Sequence, residues 1–120
     1  MAEKPEKAKK SYGFRVLGVD GTVIEGTATM SVPPTLGELK HVVEPHVSGD
    51  MEHMYVWNDR APNHRGDMFV DEVGQLKGLP RNEAATATYR KAWVQATGDD
   101  PESLPWIAGT AVLFDETVWT

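Results

Sequence analysis

The chain has 120 residues, a net charge of −6 and no cysteine, and this length suits a single domain. Its hydrophobic content of 40% and aromatic content of 8% are typical of a folded core. The lack of cysteine excludes disulfides and thiolate zinc sites. The N-terminus lacks a signal-peptide pattern, and no apolar run approaches the ~20 residues that cross a bilayer. We therefore expect a cytoplasmic protein with no membrane partner.

The charge is distributed unevenly along the chain. Residues 1–12 carry four lysines and two glutamates, whereas the remainder carries eight basic and sixteen acidic residues. An acidic folded part is a poor match for phosphate backbones, so we expect no nucleic-acid partner. The composition predicts a charged, disordered leader over residues 1–11 and one domain over residues 12–120.

Residues 13–32 predict a β-hairpin, for which two registers compete. A two-residue turn would place Leu17 opposite Ile24, whereas a three-residue loop that ends at Gly21 places Val16 opposite Ile24. The longer loop gathers the apolar side chains on one face and gives Gly21 the left-handed position of a bulge. We therefore predict the three-residue loop.

The segment PPTLGELKHVVEP predicts the first helix. Thr35 and Glu38 have the spacing of a capping box, and Leu36, Leu39 and Val43 form one apolar stripe. Because proline disfavours helical geometry in the preceding residue, we predict that the helix ends before Pro45.

The next stretch alternates strands and turns. Residues 51–58 are apolar on both alternating faces, which is typical of an interior strand or one covered on both sides. Residues 58–67 predict a polar loop and residues 68–70 a short strand. A turn that uses Gly74 and Gly78 follows.

Residues 83–97 predict a second helix, with Asn82 as its N-cap and Gly98 at its end. Residues 106–114 carry little charge and predict a central strand, and residues 117–120 predict a final strand.

These elements predict a single α+β domain in the order ββ-α-ββ-α-ββ, with an antiparallel or mixed sheet of five or six strands and both helices packed on one face. Trp57, Trp93 and Trp106 fit buried or half-buried positions. Trp119 would lie on the C-terminal edge strand, where an exposed aromatic side chain indicates a protein interface. An unprotected edge there would allow a homodimer.

The second half of the sequence contains three short motifs: the acidic pair Asp71-Glu72, the segment Leu79-Pro80-Arg81-Asn82 and the closing Ala108-Gly109-Thr110. With these motifs it resembles a family of small domains of unknown function from bacteria, their phages and their plasmids. Members share an acidic pair after a short strand, a Leu-Pro-x-Asn segment and a closing strand of the Val-Gly-Thr type. The resemblance implies this fold and a mobile-element context, and it implies no particular activity.

Two polar segments are candidate ligand-binding sites. The first is the loop 58–67, because loops on a rigid sheet often carry function; its candidate residues are Asn58, Asp59, Arg60, His64 and Arg65. The second flanks the start of the second helix, where free N–H groups favour an anion; its candidate residues are Asp71, Glu72, Arg81 and Asn82. In the competing interpretation the acidic pair shapes a turn and Asn82 only caps the helix.

No motif specifies a reaction. The four histidines have no HExxH or cysteine partners, so no metal site, cofactor or catalytic residue is predicted. We expect a small, non-catalytic accessory or binding module that engages a protein partner or a small polar ligand. Two alternatives stay open. One is an enzyme that uses Asp71, Glu72 and His64 for acid–base chemistry, and the other is an acidic DNA mimic, which requires carboxylates in a regular surface row.

Overall fold

The computed structural model of the protein describes residues 8–57 and 65–119. Five strands lie in these ranges: β1 Lys9–Leu17, β2 Val23–Ser31, β3 Met51–Trp57, β4 Arg65–Asp71 and β5 Ala111–Phe114. Two α-helices join them, α1 Leu36–Val47 and α2 Glu83–Thr97, and a 3₁₀ turn spans Pro101–Ser103. The α+β class predicted from the sequence is therefore correct.

The described strands form one antiparallel sheet in the order β2-β1-β5-β4-β3. The last strand, β5, is inserted at the centre, between β1 and β4. The two edges of the sheet are β2 and β3. Of the two alternatives predicted for residues 51–58, the interior strand is wrong, since among the described strands β3 pairs with β4 alone.

The opening hairpin has the predicted three-residue loop. Val16 pairs with Ile24, and the Gly18 N–H donates to the carbonyl of Thr22 at 2.8 Å. Gly21 has a φ of 89°, a conformation that only glycine adopts without strain. The register predicted from the apolar pattern is therefore confirmed, although Ile24 itself is 62% exposed.

The first helix begins as predicted and ends later. The capping box of Thr35 and Glu38 is present in both directions, but Pro45 lies inside the helix, which ends at Ser48 in a left-handed conformation. The prediction that Pro45 terminates α1 is wrong. The extra turn buries Val47, which is 3% exposed and packs in the core, and this packing compensates for the hydrogen bond that proline removes.

The two helices cover opposite faces of the sheet, so the prediction of one shared face is wrong. On one face Phe69 packs with Leu39 and Val43 of α1. On the other, Met68 packs in a separate cluster with Ala85 of α2. Neighbouring residues of a strand point to opposite faces, and both faces of β4 and β5 are buried, so each face needs its own helix.

The predicted sixth strand is also absent from the described residues. Residues 117–119 have no strand pairing, and the backbone N–H groups of Val118 and Trp119 donate instead to the carboxylate of Asp67, at 2.7 and 2.9 Å. The predicted homodimer required an edge strand at the C-terminus. The described residues contain none, because β5, the last strand in the chain, lies at the centre of the sheet.

Two predicted boundaries move in the structure. β1 begins at Lys9, so residues 9–11 of the predicted leader belong to the sheet. β4 begins at Arg65, so residues 65–67 of the predicted loop are strand residues. Among the residues described, no helix combines the length and hydropathy that crossing a bilayer requires.

Candidate functional site

A group of exposed aromatic side chains lies along β3 and α2. Tyr55, Trp57 and Trp93 are 56%, 39% and 44% exposed. They border an apolar groove of about 300 Å³ between the edge strand and the helix, whose walls are formed by Tyr55, Val56, Trp57, Arg65, Ala92, Trp93 and Ala96. We call Tyr55, Trp57, Arg65 and Trp93 together the aromatic surface. Exposed large aromatics beside an apolar groove are unusual in a monomer and mark contact sites.

Arg65 connects this surface to the rest of the fold. Its guanidinium lies 4.4 Å from the ring centre of Tyr55, within the range of a cation–π contact. Its Nη2 donates to the carbonyl of Trp119 at 2.6 Å, and its Nε is 3.5 Å from Oδ1 of Asp67. The cation is therefore held in one position beneath the exposed tyrosine.

A buried carboxylate supports the surface from within. Asp67 is fully buried, and one of its oxygens lies 2.8 Å from Nε2 of His53. Burial alone would raise the pKa of Asp67. The bond to His53, the N–H groups of Trp119 and Val118, and the charge of Arg65 together outweigh that effect and lower the pKa below its ordinary value. Asp67 thus stays ionised and fastens three segments of chain together.

His53 links this carboxylate to the aromatic side chains. Its ring stacks on Trp119 with the ring centres 4.8 Å apart and contacts Tyr55 edge-on at 4.5 Å. Trp119 is half-buried and packs against the core. Trp57 and Trp93, predicted to be buried or half-buried, are exposed, whereas Trp119, predicted to lie on an edge strand, is half-buried.

The outer edge of β3 is open for hydrogen bonding. Opposite residues in an antiparallel pair alternate between bonded and non-bonded. Glu72 N–H donates to the carbonyl of Asp50, which makes this pair a bonded one and sets the alternation for all of β3. The backbone N–H and C=O of Met51 must then point away from β4, and this N–H donates to the carboxylate of Glu44 at 3.1 Å. The same alternation directs outward the backbone N–H and C=O groups of His53, Tyr55 and Trp57.

Asn82, one of the predicted ligand residues, is a buried structural link. It is fully buried, and its Oδ1 accepts from the N–H of Ala85, as an N-cap should. Its Nδ2 donates to the carbonyls of Leu17 and Gly109, both at 2.9 Å. The predicted cap is therefore confirmed, and the amide also joins α2 to the end of β1.

The acidic pair that follows β4 shapes a turn. Asp71 is 4% exposed; one oxygen accepts from the N–H of Val73 at 2.9 Å and the other from Nζ of Lys77 at 2.7 Å. Burial raises the pKa of Asp71, but these partners outweigh it and lower the value. Glu72 is exposed and borders a small cavity beside β4, whereas Arg81 borders a different one and pairs with Glu83.

The described candidates do not converge on one place. Arg65 and Asp71 are the first and last residues of β4, which puts them about 20 Å apart at the spacing of a strand. The other predicted residues of the first segment lie outside the described residues; they are Asn58, Asp59, Arg60 and His64. A ligand-binding role for the nine predicted residues stays a prediction.

Sequence reasoning missed the residues that the structure brings together. Trp57 and Trp93 are predicted from the sequence to be buried or half-buried, and Tyr55 and Trp57 to lie in a strand covered on both faces, because apolar residues on both faces of a strand normally indicate burial. The one contrary signal is negative: residues 53–57 contain no lysine or proline, the residues that protect a strand edge.

Among the described residues, no three histidine, aspartate or glutamate side chains come together in a group that could hold a metal ion.

Comparison with known proteins identifies no relative: no family model, no curated protein and no solved structure matches this chain.

Proposed function

We propose that this chain is a small, non-catalytic protein-interaction module, and that it binds its partner through the aromatic surface. One observation carries the proposal: three exposed aromatic side chains, Tyr55 and Trp57 on the α1 face of β3 and Trp93 on α2, border one apolar groove at the open strand edge. Tyrosine, tryptophan and arginine are the residues that contribute most to binding energy at protein interfaces. Each lies here on a helix or strand, which holds it in place before binding.

We also propose where this module acts: in the cytoplasm, in association with a bacterium, a phage or a plasmid. The motif resemblance in the second half of the chain supports an accessory role in a bacterium, a phage or a plasmid. The sequence composition supports a cytoplasmic location. Neither statement depends on the aromatic surface.

The geometry favours a binding module over the acid–base enzyme. Asp71 is buried and both of its oxygens are engaged, while Glu72 points to solvent. General acid–base work needs such groups within hydrogen-bond reach of one substrate. His64, the third group that this enzyme would use, lies outside the described residues.

A DNA mimic also receives little support. It needs an uninterrupted row of free carboxylates, whereas several acids of the described surface lie beside a base; these pairs are Lys10–Glu116, Arg15–Asp115, Arg81–Glu83 and Arg90–Glu102. Interleaved charges of both signs do not reproduce a phosphate backbone.

Site-specific photo-crosslinking tests the proposal. A benzophenone amino acid replaces Trp93 in one variant and Leu76 in a control; Leu76 is 88% exposed and lies outside the aromatic surface. We expect protein crosslinks in the host cell from position 93 and few from position 76. Equal crosslinking at the two positions, or none at 93, would show that this surface is not an interface.

A further inference from the structure

The open edge of β3 indicates which partner the aromatic surface binds. We propose that the aromatic surface binds a second copy of this chain, with the two β3 strands paired antiparallel about a twofold axis at Tyr55. This inference rests on the proposed function, because it names the occupant of the same surface. The joined molecule would have one continuous sheet.

The first argument comes from the backbone. Three alternate residues of β3, His53, Tyr55 and Trp57, direct their backbone N–H and C=O groups outward with no partner among the described residues, and Tyr55 is the middle one. The carboxylate of Glu44 occupies the next N–H along the edge, that of Met51. Within the described part of this edge, residues 51–57, the N–H groups left open are therefore symmetric about Tyr55. An antiparallel copy would exchange both hydrogen bonds between the two Tyr55 residues, and His53 of each would pair with Trp57 of the other.

The second argument is that this edge lacks protection. Natural edge strands are shielded by lysine, proline, bulges or short length. β3 has seven residues in regular register with β4, with no proline and with Glu52 as its one charged side chain. By contrast, the opposite edge, β2, has Glu25 among its outward-facing residues, together with Thr27 and Thr29.

The third argument is charge complementarity. The Met51 end of β3 has an acidic excess, with Glu44, Asp50 and Glu52 beside the Asp71–Lys77 pair, whereas the Trp57 end has Arg65, next to the buried Asp67. Antiparallel pairing brings the acidic end of each copy to the basic end of the other. A parallel arrangement would bring like charges together, which is destabilising.

The helices are compatible with this pairing. A twofold axis perpendicular to the sheet keeps α2 of both copies on the same face. The residues of α2 at the groove are Trp93 with the small Ala92 and Ala96 on either side, and small residues let two helices approach closely. The tryptophans would then cover the apolar groove from both sides, giving an interface with a hydrophobic centre and charged ends.

Sedimentation equilibrium of the full chain, from low micromolar to several hundred micromolar, tests the inference. We expect the mass to rise from 13.2 kDa towards twice that value. A mass of one chain at every concentration would overturn the inference. Crosslinks from position 93 to other proteins would still support the proposed function in that case, so the two failures are distinguishable.

A charge-swap experiment tests the register. Tyr55→Lys and Tyr55→Glu each place two like charges face to face on the axis, and Tyr55 is exposed enough for both variants to fold. We expect each alone to be monomeric, with its dissociation constant raised about tenfold or more, and an equimolar mixture to form the heterodimer. A mixture that stays monomeric, or single variants that still dimerise, would overturn the pairing at Tyr55.

A backbone variant separates hydrogen bonding from side-chain packing. The N–H of Tyr55 faces away from β4, so Tyr55→Pro should leave the β3–β4 ladder intact, and Tyr55→Thr is the control that keeps the N–H. Circular dichroism establishes that both are folded. We expect Tyr55→Pro to weaken dimerisation about tenfold or more relative to Tyr55→Thr, because both copies lose a donor. Equal dimerisation of the two variants would contradict strand pairing.

Discussion

The side chain of Asn82 shows how one buried amide can hold distant segments in place. Its oxygen caps α2, and its nitrogen satisfies two backbone carbonyls that no water reaches. The capping role was predictable, because Asn before a helical stretch is a local pattern. The two carbonyl partners, Leu17 and Gly109, are 65 and 27 residues away in the chain, and no local pattern identifies contacts of that kind.

Replacing Asn82 should therefore cost more than a helix cap alone. We expect Asn82→Ala to lower the free energy of unfolding by about 3 kcal/mol, from the lost cap and two unsatisfied carbonyls. Thr35→Ala, which removes only the exposed cap of α1, should cost about 1 kcal/mol. Urea unfolding measures both. Equal losses would mean that the two carbonyl bonds add nothing to stability.

Glu38 should make stability depend on pH in the acidic range. Its carboxylate accepts the N–H of Thr35 at 2.9 Å and that of Ser31 at 3.0 Å; the Thr35 bond is the main cause that lowers the pKa of Glu38 to about 2. Because the folded pKa lies below the unfolded value of about 4.3, this stabilisation is complete above about pH 5 and is lost as the pH falls towards 2.

The measurement is urea unfolding of the wild type and Glu38→Gln across that pH range. The difference in stability between the two proteins should shrink as the pH falls. A difference that stays constant down to about pH 2 would rule out this role for the carboxylate.

At the scale of elements, α1 does more than cover the core. Its two glutamates reach opposite edges of the sheet: Glu38 accepts the outward N–H of Ser31 on β2, and Glu44 accepts that of Met51 on β3. The helix itself was predictable from its capping box and apolar stripe. Its end was not, because burial of Val47 overrides the local effect of Pro45.

Asp67 holds the C-terminal segment against the sheet, because its carboxylate accepts the N–H groups of Val118 and Trp119. Asp67→Asn replaces one acceptor oxygen with an amide nitrogen. Fewer acceptors then remain for the N–H groups of residues 118 and 119 and for the ring of His53. We expect a loss of about 3 kcal/mol in urea unfolding, the cost of breaking a buried charged network. Glu102→Gln is the matched control, since its partner Arg90 is buried but Glu102 is 81% exposed, and it should cost less than about 1 kcal/mol. Similar losses in the two variants would contradict the anchoring role.

At the scale of the whole molecule, the order of strands decides which residues are exposed. The continuous apolar runs MFV and AVLF are typical of strands buried on both faces, a pattern that fits a helix on each side better than the predicted single helical face. The insertion of β5 between β1 and β4 is a contact between distant parts of the chain. That insertion leaves β3 at an edge, and it is why the aromatic surface could not be predicted from alternation alone.

The central claim is that the outer edge of β3 is open in the monomer and closed when the aromatic surface binds. Amide hydrogen exchange, measured by NMR at each residue, tests it most directly. In dilute protein the N–H groups of His53, Tyr55 and Trp57 should exchange faster than those of Met54 and Val56, and raising the concentration should protect the first group. Protection of Tyr55 that is already high in dilute protein, or that does not change with concentration, would contradict the account.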